Sequence, residues 1–294
     1  MISDSELQDK LLADMAHAGI VPTEEIVLDG QLHRFHIDGD NPAKRNGWLV
    51  VKICAYPFAF FGSWRTGQKH SWQLKQPSTA AEKKAAREMQ DQLRKQYEAE
   101  RQKKHSQAAE TARLLIERAE PADYLHPYLV SKKIQPHGIL QLEGVLLVPL
   151  HQGTEVVSLQ AIYQDGSKRF LTGGQTRGCY FVLNEKPQLV RKLIVCEGVA
   201  TGCTLRESYP DTTVVCAFSA HNLSRVARVM KKSFNSAEIT IACDNDFETV
   251  GNPGLTKGRQ AAAAVSARLI YPDFSDVAGT GTDFNDYRNA GGVL

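Results

Sequence analysis

The last third of this chain alternates short apolar runs with helix-forming segments, and this rhythm constrains the fold more than any other feature. "KLIVC" (192–196), "TTVVCAF" (212–218) and "EITIAC" (238–243) are strand-like. They are followed by "VATGCTLRESY", "NLSRVARVMKKSF" and "TKGRQAAAAVSARLI". Continuous apolar strands separated by helices predict βαβ units and a mainly parallel sheet covered on both faces. In such sheets ligands bind beyond the carboxyl ends of the strands.

Acidic residues gather at those ends. Glu197 closes "LIVCE" and precedes Gly198, Asp244 and Asp246 close "ITIACDND", and Asp283 and Asp286 lie in the terminal "GTDFND". Residues i and i+2 of a strand point to one face. Two carboxylates about 4 Å apart repel by roughly 4 kcal/mol at an effective dielectric near 20. A hard divalent cation with oxygen ligands would relieve that repulsion. One acid at a strand end is ordinary turn chemistry. Three groups in successive units of one sheet point instead to a metal site, although Asp283 and Asp286 are equally explained as caps of the helix "FNDYRNA".

Upstream, residues 1–76 read as a short amphipathic helix followed by strands such as "LHRFHIDG", "GWLVVKIC" and "YPFAFFGSW", punctuated by Gly and Pro. Residues 77–120 form a charged connecting helix, with Ser78 or Thr79 as its cap and Glu82 completing a capping box. Acids and bases are nearly balanced along it, which favours a solvated helix over a basic arm. Residues 121–187 form a small α+β unit with a hairpin turn at Asp165-Gly166, and the α/β domain occupies 188–294.

At 294 residues, 42% hydrophobic and 23% charged, the chain is globular, and its net charge of +2 confines any nucleic-acid footprint to local patches. The six cysteines include no CxxC pair, and Cys196, Cys216 and Cys243 sit in apolar runs, so neither zinc nor a disulfide framework is expected. No run is long enough for a membrane helix, and the acidic N-terminus is unlike a signal sequence. A cytoplasmic protein without membrane partners is the expectation.

"LIVCEG" followed by "ACDND" and "KGRQAAAA" resembles the Toprim domain of bacterial-type primases, type IA and II topoisomerases and certain nucleases. That family's signature is Glu-Gly after the first strand and Asp-x-Asp after the third. "HPYLVSKKI", "VVSLQAIYQDGSKRFLTGG", "GCYFVL", "AFSAHNL" and "GTDFNDY" further resemble the Toprim primases of phages and plasmids. In those proteins a segment similar to the basic part of the bacterial primase core precedes the Toprim domain. The cysteine-rich zinc ribbon of many primases is missing, and no G-x-x-x-x-G-K-[ST] stretch is present; "GNPGLTKG" lacks its spacing.

The resemblance implies a DNA primase making short RNA primers from ribonucleoside triphosphates on single-stranded DNA, for a phage, plasmid or other mobile element. Asp244 and Asp246 would hold Mg²⁺ or Mn²⁺, with Glu197 as a further ligand or as general base, and Asp283 and Asp286 as second-tier ligands. Lys168 and Arg169 stand where the family has basic residues beside the cleft, Arg177 precedes a glycine in the same segment, and each reads equally as a solvated charge. Lys257 opens the helix after Asp-x-Asp, where a phosphate is favoured and a lysine is not. In the N-terminal module Trp48, Trp64 and Trp72, with Arg65 and Lys69, serve either single-stranded DNA or packing. A replicative helicase would be supplied in trans.

Two other readings use the same residues. A Toprim nuclease would direct water at the same site, and an accessory protein would bind DNA with a purely structural metal. The basic segment at 156–182 favours the primase, and the upstream part is too short for a topoisomerase strand gate.

Overall fold

The computed structural model describes residues 3–54, 56–74, 79–183 and 190–294. The chain divides into two compact units, Met1–Tyr97 and Glu98–Leu294, at a point that falls within one long helix. The expected boundaries at 76/77 and 187/188, and Ser78 as a cap, lie outside the described residues.

In the first unit, α1 (Asp4–His17) starts where Ser3 accepts the Glu6 N–H at 3.2 Å. Leu7, Leu11 and Met15 recur every four residues, so they form one buried stripe. It packs on an antiparallel sheet in sequence order: β1 (His33–Phe35), β2 (Gly47–Lys52), β3 (Phe58–Ser63) and β4 (Lys69–Gln73). The two-residue alternation of β2 sends Leu49 and Val51 to the core and leaves Trp48 and Val50 on the other face.

Helix α2 (Ala80–Glu117) opens with a reciprocal capping box. The Glu82 N–H donates to Thr79 Oγ1 at 3.1 Å, and the Thr79 N–H donates to Glu82 Oε2 at 3.0 Å. Intrahelical pairs such as Lys104–Glu100 and Arg113–Glu110 line its exposed surface.

The second unit holds two further sheets. Strands β5 (Glu120–Pro121), β6 (Leu140–Leu142), β7 (Val145–Gln152), β8 (Glu155–Ile162) and β9 (Lys168–Phe170) form an antiparallel sheet, with α3 (Pro127–Lys132) after β5. The Asp165-Gly166 turn joins β8 to β9 as expected: Gly166 takes φ +82°, and Asp165 accepts the Ser167 N–H at 2.9 Å.

The last sheet has the order β10-β12-β11-β13-β14. Its strands are β10 (Phe181–Val182), β11 (Lys192–Cys196), β12 (Thr213–Cys216), β13 (Glu238–Ala242) and β14 (Arg268–Ile270). All pairs but β10–β12 are parallel. The crossovers are α4 (Val199–Ser208), α5 (Ala220–Ser233) and α6 (Pro253–Val265), and α7 (Phe284–Asn289) follows the last strand.

Alternation along β11 builds two cores. Leu193 and Val195 meet α5 and α6, while Ile194 and Cys196 face α4, α7 and the antiparallel sheet. Residues of α3, β7 and β8 thus share one core with the parallel sheet. The six cysteines are free; five are buried and Cys54 is half-buried. No helix of the described residues is long and apolar enough to cross a membrane.

Candidate active site

The connection from β11 runs to β12 on one side, and that from β13 runs to β14 on the other. Neighbouring strands with opposed connections open a crevice at their carboxyl ends, the usual ligand position of such sheets. Cys196 of β11 pairs with Ala242 of β13, so Glu197 and Asp244 leave the sheet side by side at that crevice. Glu197 stands one residue beyond its strand and Asp244 two beyond. Asp244 and Asp246 therefore do not share a strand face as expected, because neither is in a strand; a turn, not strand alternation, sets their relation.

That turn is a hydrogen-bonded scaffold. Asn252, at φ +39°, caps α6 through Oδ1, which accepts both the Leu255 N–H at 3.2 Å and the Asp246 N–H at 2.9 Å. Its amide donates to Asn245 Oδ1 at 2.7 Å. Asp246 Oδ2 accepts the Gly254 N–H at 2.8 Å, placing a carboxylate at the positive end of α6. A Cβ on Gly254 would stand 2.6 Å from the Asp244 carbonyl and 2.8 Å from Asp246 Oδ2. Asn245, Asn252 and Gly254 thus hold the acidic turn, and the only sequence signal for them was the turn-forming character of "DNDFETVGNPG".

The last two acids keep structural tasks. Asp283 is the N-cap of α7 and accepts the Asp286 N–H at 2.8 Å, while Asp286 Oδ1 lies 3.2 Å from Lys132 Nζ of α3. Lys132 was missed by sequence reasoning, although it lies within "HPYLVSKKI". Buried Asn285 reinforces the link, donating to the Lys132 carbonyl at 2.7 Å and to Thr204 Oγ1 at 2.9 Å.

These carboxylates act on one another. Desolvation pushes Asp244 up to about 8, assisted by the charges of Glu197, Asp283, Asp246 and Asp286. Glu197 is raised by desolvation and by Asp246 and Asp283, against the opposing N–H of Ala220 at the start of α5. Asp283 is raised by desolvation and pulled back by its cap bond and by Lys132.

Asp244 Oδ1 is buried without a hydrogen-bond partner. An unpaired carboxylate oxygen whose charged neighbours are other carboxylates fits a hard divalent cation. Among the described residues no three His, Cys, Asp or Glu side chains are already set as a metal cage. Asp246 and Asp283 each turn an oxygen to a helix N-terminus instead.

A family model described as the Toprim domain matches residues 192–293, the span that contains the crevice and every acid around it. These residues are a Toprim domain. The chain is also similar to two DNA primases TraC of Escherichia coli. The first is 30% identical over 286 residues, covering 91% of this chain and 26% of that protein; the second is 27% identical over 271 residues, covering 86% and 18%. The chain thus spans about a quarter or less of these relatives. The primase fragment of the bacteriophage T7 primase-helicase protein gives a TM-score of 0.43 at 16% identity, covering 55% of this chain and 69% of that one.

The expected cations occupy different settings. Lys168 and Arg169 are exposed on β9, over the rings of Tyr128 at 5.4 Å and Tyr163 at 5.7 Å. Arg177 is exposed and borders two grooves. One, of about 260 Å³, includes Phe218, His221 and Arg225 at the end of β12, and the other, of about 480 Å³, includes Arg101 and His105. Buried Asn222 of α5 fixes the Arg177 loop to the Toprim domain. Its Oδ1 accepts the Gly178 N–H at 2.8 Å, and its amide donates to the Cys179 and Ala217 carbonyls at 2.9 Å.

Lys257 is the fifth residue of α6, one turn from the N-terminus, with Nζ 3.2 Å from Gln260 Oε1. The expected conflict with the helix dipole is therefore absent. In the N-terminal module Trp72 is buried and donates to Asp14 Oδ2 at 2.5 Å, and Arg65 pairs with the buried Asp40 carboxylate at 2.6 Å. Trp64 and Lys69 are exposed.

Proposed function

We propose that this chain is a DNA primase of the phage and plasmid type, joining ribonucleotides into short primers on a single-stranded DNA template. The partnerless Asp244 Oδ1, at the Toprim crevice and within the field of four other carboxylates, carries the reading. Similarity to DNA primase TraC over nine-tenths of the chain supports it.

In the reaction a primer 3′-hydroxyl attacks the α-phosphate of the incoming triphosphate and pyrophosphate leaves. Asp244 and Asp246 would hold Mg²⁺ or Mn²⁺, with Glu197 beside them and Asp283 and Asp286 behind. A divalent cation there would supply positive charge to the attacking and leaving oxygens. Glu197, already biased toward the proton by its surroundings, is suited to receive the hydroxyl proton if it is not itself a ligand. Arg177, with Lys168 and Arg169, would meet triphosphate or template, and Lys257 is the weakest of the four because it bonds within its own helix. The reading includes a cytoplasmic location, a helicase partner in trans, and domains at 1–76, 77–120, 121–187 and 188–294.

The test is incorporation of labelled ribonucleotides on single-stranded DNA with Mg²⁺ or Mn²⁺, by wild type and by Asp244→Asn/Asp246→Asn. Primers from the wild type alone support the reading. Metal-dependent loss of template without primers would assign the same carboxylates to a nuclease.

A further inference from the structure

We propose that the outer face of the N-terminal sheet is a single-stranded DNA platform, with bases stacking on Trp64 and Trp48 and phosphates meeting Arg34 and Lys69. The inner face is closed by α1. The outer face follows from the register: Arg34 pairs with Trp48, Trp48 with Gly62, and Gly62 with Lys69, one row across all four strands. Trp64 continues β3, its N–H donating to the Asn46 carbonyl at 2.9 Å, and so projects on the same side as Gly62 and Phe60.

The row is shaped for flat ligands. Gly62 leaves room for the Trp48 ring to lie on the backbone; a Cβ there would stand 2.7 Å from Trp48 Cζ2. The Trp48 and Trp64 centroids are 6.1 Å apart. The Arg34 guanidinium sits 4.7 Å over Trp64 and is aimed by two hydrogen bonds, of 2.8 and 3.1 Å, to the Arg45 carbonyl. Trp64 is 49% exposed and Phe60 46%, so both present aromatic surface to solvent.

Charge selects the occupant. The outward strand positions carry Arg34, Lys52 and Lys69 and no carboxylate. Neither Arg34 nor Lys69 pairs with an acid among the described residues, whereas Asp40 and Glu24 are held by Arg65 and Arg45. Exposed aromatic faces beside cations that have no acidic partner suit unpaired bases on a polyanionic backbone; a duplex hides its base faces, and a protein partner does not require the cations. The choice of DNA over RNA rests on the proposed function; the stacking surface itself does not.

The experiment uses the full chain and a fluorescein-labelled oligo(dT). All three tryptophans of the protein lie in this module, so stacking also quenches intrinsic emission. Expected is salt-dependent binding with quenching. Trp64→Ala should weaken binding by roughly 5- to 100-fold and Trp64→Phe by much less. Lys69→Ala should lower the salt slope by about 0.7. Unaltered circular dichroism would establish that each variant folds. Full affinity in Trp64→Ala would overturn the platform even if primers are still made. Tighter binding of duplex or of oligo(U) would overturn its assignment to single-stranded DNA. Absence of primer synthesis by the wild type, with binding intact, would overturn the primase reading and leave the platform standing.

Discussion

Lys132 and Asp286 are 154 positions apart in sequence, yet their charged groups meet at 3.2 Å, joining the antiparallel subdomain to the acidic rim of the Toprim domain. The lysine also draws down the proton affinity of Asp283. Both members of the pair are about one-third exposed, so solvent screens the interaction. Lys132→Ala should therefore cost no more than about 1 kcal/mol of stability. Removing its positive charge should strengthen Mg²⁺ binding, measured as a larger thermal shift per millimolar Mg²⁺ than wild type shows. An unchanged Mg²⁺ response would remove Lys132 from the site.

Asp244 predicts a pH dependence with a definite sign. Its ordinary value of 3.8 is raised to about 8 in the fold, so between those values the native state holds a proton that the unfolded chain has released. Stability in EDTA should fall as pH rises through that window, by up to about 1.4 kcal/mol per unit from this group. Asp244→Asn should flatten the fall. Because a cation competes with the proton, Mg²⁺ should stabilise the wild type more at pH 8 than at pH 6. Denaturant midpoints across pH, with and without Mg²⁺, would measure both effects.

Two glycines of α6 should separate site from scaffold. Gly254→Ala drives a methyl against the Asp244 carbonyl and Asp246 Oδ2, so it should abolish the Mg²⁺-dependent thermal shift and primer synthesis. Gly258→Ala instead meets Cys243 Sγ at 2.4 Å, inside the core between α6 and β13. It should lower stability by about 1–3 kcal/mol through overpacking. Equal effects of the two on Mg²⁺ binding would count against the turn geometry.

Asn222→Ala removes a buried amide from the Arg177 loop and leaves the Cys179 and Ala217 carbonyls unpaired. A loss of about 1–3 kcal/mol is expected, with earlier proteolytic cleavage near Arg177 than near the core strands. Limited proteolysis followed by mass spectrometry would locate the cut.

What the sequence determined by itself was the parallel sheet and the edge its acids share. Apolar runs of four or five residues rich in β-branched side chains and separated by helix-length segments fit strands buried on both faces, which the intervening helices join as parallel crossovers. The Asp165-Gly166 turn and the Thr79–Glu82 box were equally legible, because their hydrogen bonds close within three or four residues. Tertiary structure decided whatever depends on distant partners. Asp246 is turned aside by Gly254, Arg65 is consumed by Asp40, Trp72 is buried beneath α1, and Lys132 is brought to Asp286. Local pattern records which residues are apolar or charged. Which charge meets which is set by long-range packing, which alone determines what is left unpaired for a ligand.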